Sequence, residues 1–471
     1  MGLAARVTAA TVGFVLVAGG GYLTADVLDV VPGFLTNAPV PDPAAPFPTI
    51  PGATAGPDPV ALLGDLPEDA PVPSATSVDA LVAELVEKTD LVGPSVGVLV
   101  ADAASRTGVA GTAATEPHTP ASTAKLFTAA AALTAPGADR TLDTRVVLTD
   151  TGDLFLVGGG DMMLAAGPGD PTAVDGRAGL ADLVAQVAPA LRLAGVDDVR
   201  LHVDDSLFSG PSVSPSWDKD NVDVGYVAPI TAVAVDQGRT REGEYVPRYK
   251  DPSLAAGRQL ATALREAGVG VADAVDRAVA PDGAREVGIV SSAPLDEVVA
   301  FFLQSSDNTI TEVVGRIVAL EAGLPGSFDG ATAAVTAAAG RLGVDLTSVR
   351  LSDCSGLGDG STVTPKALVD LLLAMLDPAN PHLRAAAIDM PVAGLSGTLH
   401  ERFVQSPARG LVRAKTGSLP GVTSLAGTTV TADGRLLVFA VLADDVPKGG
   451  TWGARVAVDA FTTRLTACGC A

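Results

Sequence analysis

TPASTAKLFTAAAAL, residues 119–133, is an alanine-rich helical stretch that follows a proline and carries Ser122 and Lys125 three positions apart. On a helix, positions i and i+3 share a face, so the lysine amine would stand under the serine hydroxyl. A serine hydroxyl is a weak nucleophile and needs a base within hydrogen-bond reach. The helix N-terminus adds free N–H groups and a partial positive charge, which suit a developing oxyanion. Alone the spacing carries little weight. Ser216-Trp217-Asp218-Lys219 repeats it with no helical pattern around it.

Two later stretches change that weight. Ser306-Asp307-Asn308 interrupts a strongly helical run, residues 295–323. Lys415-Thr416-Gly417 stands at the front of a strand-like run, and each of these two motifs occurs once in the chain. S-x-x-K, S-D-N and K-T-G in that order form the motif set of serine enzymes that work through an acyl intermediate, the β-lactamases and penicillin-binding proteins.

The surrounding pattern supplies a frame for the three motifs. VDALVAELVEKT has apolar residues at helical spacing, and SVGVLVADAA (95–104) reads as a buried strand. TRVVLTDTGDLFLVGGG (144–160) reads as two strands around a Thr-Gly-Asp turn. Helical and strand runs then alternate irregularly, and the C-terminal end holds a hairpin with its turn at Asp433-Gly434, followed by a last helix. This predicts an α/β unit whose sheet pairs the first strands with the last.

Composition bounds the rest. The 471 residues suit two or three domains, and 47% hydrophobic content is enough to fold most of them. The formal charge of −23 argues against nucleic acid as a partner, which needs basic surface. Only seven of the 31 basic residues are lysines, so two lysines inside motifs are notable. The four histidines show no metal-ligand spacing, and no cofactor or metal is expected. Asp204-Asp205 and Asp444-Asp445 read as solvated turn residues, and Cys354 has Cys468 and Cys470 as possible disulfide partners.

Arg6 precedes nineteen uncharged residues, 7–25, which read as a membrane anchor or a signal peptide. Twelve prolines between residues 32 and 73 predict an extended spacer. Both readings place the folded part outside the cytoplasm, tethered to the cell membrane or secreted to the cell wall. The expected organisation is a signal or anchor over 1–30 and a linker over 31–76. A catalytic part follows, split into 77–159 and 291–467 by an insert at 160–290.

The chain resembles class C low-molecular-mass penicillin-binding proteins, the D-alanyl-D-alanine carboxypeptidase/endopeptidases with large inserted domains. The resemblance covers roughly residues 80–465. It rests on PASTAKLFT, the GGGD at 158–161, YVAPITAVAVDQG at 226–238, SSDNTITE, DCSGLGDGSTVTP at 353–365, and MPVAGLSGTLHERF at 390–403. The 183 residues between Ser122 and Ser306 match that family's long insert. The implied fold is α/β (α+β): a β-lactamase/transpeptidase-like domain with an antiparallel sheet flanked by helices and interrupted by an inserted domain.

The resemblance also implies roles. Ser122 attacks the penultimate D-alanine carbonyl, and a neutral Lys125 is the base, its pKa lowered by burial and by Lys415. Ser306 relays a proton, and Asn308 holds the substrate amide. Lys415 and Thr416 bind the terminal carboxylate, and Gly417 lets the substrate pass close to the strand. The Ser122 and Ser418 N–H groups form the oxyanion hole. Peptidoglycan stem peptides would be the substrate and β-lactams inhibitors, with the membrane reached through the N-terminal segment. Cys354, Met162 and Asp359-Gly360 depart from the family pattern, and Asp161 is a candidate for a substrate amine or a turn cap. Two alternatives are a β-lactamase and a catalytically poor cell-wall-binding protein.

Overall fold

The computed structural model describes residues 22–24, 66, 67 and 69–469, in two compact units, residues 1–65 and 66–471. Of the first unit only residues 22–24 are described, and they are helical (α1). The anchor and most of the linker expectation lie outside the described residues. Among the described residues no helix is long and apolar enough to cross a membrane.

The second unit opens with α2 (Ala75–Val86), capped by the Ser74 hydroxyl and burying Val78, Val82 and Leu85 at helical spacing. A short α3 (Thr89–Val92) leads to β1 (Val96–Asp102) and β2 (Gly108–Thr112). A 3₁₀ turn (Ala121–Ala124) then runs into α4 (Lys125–Thr134). Residues 125–133 are all buried, and small alanines let neighbouring helices close around them. Next come β3 (Asp143–Leu148), β4 (Asp153–Val157), β5 (Asp161–Leu164), α5 (Leu180–Ala194) and β6 (Asp198–Asp204). After them lie α6 (Asn221–Val224), β7 (Val233–Val235), α7 (Pro252–Glu266), β8 (Gly270–Val271), β9 (Asp276–Arg277) and β10 (Arg285–Ser291).

The chain returns through α8 (Leu295–Ser305), α9 (Asn308–Glu321), α10 (Phe328–Arg341), α11 (Pro365–Leu376) and α12 (Arg384–Ile388). It closes with β11 (Val412–Leu419), β12 (Val422–Val430), β13 (Leu436–Ala443) and α13 (Thr451–Thr466).

The five-stranded sheet has the order β11-β12-β13-β1-β2 and is antiparallel throughout. β1 pairs with β13 from Val96↔Ala443 to Asp102↔Leu437, so the first strands do join the last. Side chains of β13 alternate between two cores, as a period of two requires. Leu437, Phe439, Val441 and Ala443 pack on the side of α2 and α13, whereas Val438, Ala440 and Leu442 pack with α4, α9, α10 and α11. Helices therefore cover both faces of the sheet.

A second sheet, order β10-β3-β4-β6-β8, has its own core with α5 and α7. It begins at Asp143, not at 160, because β3 and β4 bond to β10 and β6. The hairpin was legible in sequence but its partner sheet was not, since pairing is decided by strands more than 40 residues away. The last strand of this sheet ends at Ser291.

One ion pair locks the catalytic sheet. The Arg435 guanidinium forks onto Asp102 at 2.5 and 2.7 Å, and the Ser105 N–H adds a third bond. Burial acts to raise this carboxyl, but Arg435 and Ser105 outweigh it and hold it at about 2. Arg435→Ala strands a buried carboxylate and should cost ~3 kcal/mol in urea unfolding at pH 7. A depressed folded-state pKa means that this stabilisation is full above the unfolded value, about 4, and is lost as pH falls toward about 2. The gap between variant and parent should therefore narrow on acidification.

Candidate active site

The turn before α4 is held in an unusual shape. Ala121 has φ 47°, a left-handed conformation that a Cβ disfavours. Three ties maintain it. The Ser424 hydroxyl on β12 and the Thr123 hydroxyl both donate to the Pro120 carbonyl at 2.7 Å. The Asp444 carboxylate accepts the Thr119 N–H at 2.8 Å and also bonds the His118 imidazole at 2.9 Å. Asp444 is thus no solvated turn residue. Burial acts to raise its carboxyl, but His118, Ser95 and Thr119 hold it at about 2. Asp204 is likewise buried, bonded to Ser206 and to the Ala280 N–H, and Asp205 pairs with Arg277.

Ser122 lies in the 3₁₀ turn and Lys125 begins the α-helix. In a 3₁₀ turn i and i+3 eclipse, which is tighter than the α-helical spacing expected from sequence. The Lys125 Nζ stands 2.9 Å from the Ser122 Oγ. It also donates to the Asn308 Oδ1 at 2.7 Å and to the Ser355 carbonyl at 2.9 Å.

The second motif is a break between two helices. Ser306 caps α8 at φ 61°, and Asp307 caps α9 by accepting the Ile310 N–H at 2.8 Å. The break points Ser306 and Asn308 into one cleft. The Asn308 Nδ2 donates to the Tyr226 carbonyl at 2.9 Å, which leaves its oxygen facing Lys125.

The third motif lies on β11. The Lys415 Nζ donates to the Ser306 Oγ and to the Thr416 carbonyl, each at 2.9 Å. Thr416 Oγ1 meets Thr398 Oγ1 at 2.8 Å. Ser122, Ser306, Asn308 and Ser418 line a cleft of about 640 Å³, to which Tyr226 and Tyr245 of the insert also contribute. Lys125 and Lys415 are both 0% exposed, standing behind that wall. All three motifs therefore meet. Of the Ser216–Lys219 repeat, neither the serine nor the lysine lines the cleft, although Asp218 does, and the Trp217 indole donates to Asp353 at 2.8 Å.

Burial lowers the Lys125 pKa to about 8, against the pull of Asp353, Glu312 and Asp307, which favour the ammonium. A neutral amine has two N–H groups and one lone pair. Asn308 and Ser355 take the two N–H groups, which leaves the lone pair for the Ser122 O–H. Burial also lowers Lys415 well below the usual lysine range, with the nearby Lys125 adding to it. The repulsion expected to act on Lys125 is thus borne by Lys415.

Some residues were not singled out from sequence. Asp353 accepts the Gly356 and Gly358 N–H groups at 2.7 Å, shaping the loop that offers Ser355 to Lys125. Glu312 accepts the Cys354 and Ser355 N–H groups. A usable signal existed: Glu312 is four residues after Asn308, on the same helix face, in an apolar run. Cys354 is a free, buried thiol, so it pairs with neither Cys468 nor Cys470. It fits because Gly315 makes room; a Cβ there would meet the Cys354 Sγ at 2.4 Å. Asp161 is buried and accepts the Met163 N–H at 2.7 Å, a turn-capping bond.

Comparison with known proteins follows the same outline. The model of the D-Ala-D-Ala carboxypeptidase 3 (S13) family matches residues 78–244 and 242–465. A carboxypeptidase of Mycobacterium tuberculosis is 39% identical over 436 residues, covering 90% of each chain. The carboxypeptidase DacB of Mycolicibacterium smegmatis is 36% identical over 433 residues, again covering 90% of each. In fold, the crystal structure of penicillin binding protein 4 from Haemophilus influenzae superposes with a TM-score of 0.67 at 21% identity, covering 82% of this chain and 98% of that one.

Proposed function

The chain belongs to the D-Ala-D-Ala carboxypeptidase 3 (S13) family and is a serine-type DD-peptidase of peptidoglycan, and from that premise we propose how its cleft divides the work. The observation that carries the reading is the chain of contacts Ser122–Lys125–Asn308 and Ser306–Lys415, each at 2.7–2.9 Å.

Lys125 Nζ takes the Ser122 proton as the Ser122 Oγ attacks the carbonyl carbon of the penultimate D-alanine. The Ser122 and Ser418 N–H groups hold the oxyanion. Ser306 passes a proton to the departing amine as the peptide bond breaks, and the proton that Lys125 took from Ser122 replaces it, so that Lys125 is neutral again. Water then attacks the acyl-serine and gives its proton to Lys125, which returns it to the Ser122 Oγ as the ester bond breaks. Asn308 orients the substrate amide. The terminal carboxylate binds in front of Lys415 and favours its ammonium form, which burial disfavours in the free cleft, and the Thr416 and Ser418 hydroxyls contact that carboxylate. The active serine is the same atom a β-lactam acylates.

The insert, from β3 to β10, supplies Tyr226 and Tyr245 to the cleft wall, and cross-linked peptides are a second substrate of the same centre. The work is extracytoplasmic, and residues 1–30 serve as the tether or export signal, with the proline-rich stretch from 31 to the start of α2 as spacer. Incubation with a fluorescent penicillin, followed by peptide mapping, should place the label on Ser122, and Ser122→Ala should release no D-alanine from a pentapeptide. Label on any other residue overturns the assignment. The labelled full chain should sediment with membranes; recovery only as a soluble form trimmed near residue 25 overturns the tether.

A further inference from the structure

Glu312 has no part in the steps above, yet it is among the most deeply placed charges near them. It is 0% exposed, one helical turn after Asn308. Its Oε1 accepts the Ser355 N–H at 2.8 Å and the Cys354 N–H at 3.0 Å, and its Oε2 shares the latter at 3.2 Å. The Ser355 carbonyl is the one that holds Lys125. Two successive amides and one carbonyl thus connect this carboxylate to the base.

Other charges face the same region. Asp353 spends its oxygens on Gly356, Gly358 and Trp217. Asp307 caps α9, and Lys415 reaches in from β11. Arg316, one turn beyond Glu312, gives its guanidinium to the Ser209, Gly326 and Pro211 carbonyls. The Cys354 thiol is pushed well up by burial and stays neutral. Burial, with Asp353 next, also pushes the Glu312 carboxyl up, against the Ser355 side chain and the two amides, which favour its anion.

We propose that Glu312 is a positioning residue for the acylating base: its bonds to the Cys354 and Ser355 N–H groups fix the Ser355 carbonyl against Lys125, and once ionised it steadies the Lys125 ammonium. The inference rests on Lys125 being the base.

Glu312→Gln separates the two effects. The amide oxygen can keep both bonds made by Oε1, and the NH₂ group replaces Oε2, which holds the longer shared bond. Geometry stays and charge goes. With neutral Lys125 as the active form, acylation by penicillin should rise with pH through about 8. Removing a neighbouring negative charge favours the neutral amine, so the Glu312→Gln limb should move to lower pH by about one unit, with the plateau within a few-fold of the parent. Glu312→Asp keeps the charge but shortens the reach. Its limb should stay in place while its plateau falls roughly ten-fold.

A Glu312→Gln limb that is unmoved or shifted upward overturns the proposal, and so does a displaced limb in Glu312→Asp should the glutamine variant not fold. Lys125→Arg serves as the control. Acylation at the parental rate in that variant defeats the assignment of the base itself, whereas its loss together with an unmoved Glu312→Gln limb defeats only the role of Glu312.

Discussion

Lys125→Arg should acylate with penicillin roughly a thousand-fold more slowly than the parent, because general-base help of this kind is worth about 10²–10⁴. Arginine keeps a positive charge and N–H donors for the Asn308 and Ser355 oxygens, at 2.7 and 2.9 Å from the present amine. It does not release its proton at any working pH. The variant therefore tests the lone pair, not the charge. The parent limb near pH 8 should vanish, leaving a low rate that is flat with pH. Lys125→Ala should be equally slow, and Ser122→Ala combined with it no slower than Ser122→Ala alone, since the two act as one unit. Stopped-flow acylation and a melting curve on each variant separate lost chemistry from lost fold. A Lys125→Arg enzyme within ten-fold of the parent would show that another group takes the serine proton.

The contrast between what was legible and what was not has a physical basis. Ser122, Lys125, Ser306, Asn308 and Lys415 stood out because catalytic chemistry fixes residue type and local spacing together. The pairing of β1 with β13 followed from strand patterns at both ends of the chain. The insert boundary did not, because β3 and β4 alternate in the same way in either sheet, and only β10 and β6 decide between them. Asp444 was read as a turn residue since nothing local reveals His118, 326 positions away, as its partner. Asp353 and Glu312 act by accepting backbone amides, and the one local trace of this is the helical spacing of Glu312 from Asn308. The charges that set Lys125 were therefore harder to see than Lys125 itself.

Gly417→Ala should slow acylation by about a hundred-fold, the scale on which misplacing reacting groups by an ångström is felt. From sequence, this glycine was expected to let substrate pass close to the strand. The geometry gives it a different neighbour. A Cβ at 417 would lie 2.1 Å from the Ser424 Oγ, 2.7 Å from the Pro120 carbonyl oxygen and 3.1 Å from the Ala121 Cβ. These are the atoms that bind the nucleophile turn to the sheet, through the 2.7 Å bond from Ser424 to Pro120. Added methyl therefore pushes on the turn that holds Ser122, whether or not substrate is present, and should also cost ~1–3 kcal/mol of stability as overpacking. Ser424→Ala alone loses one hydrogen bond, about 1 kcal/mol. In the double variant the nearest clash is gone, so the two losses should sum to less than their separate values, a coupling that contact between the sites requires. If the double variant is instead as slow as the product of both singles, and Gly417→Ala binds penicillin weakly but acylates at full speed once bound, the glycine serves the ligand and not the turn.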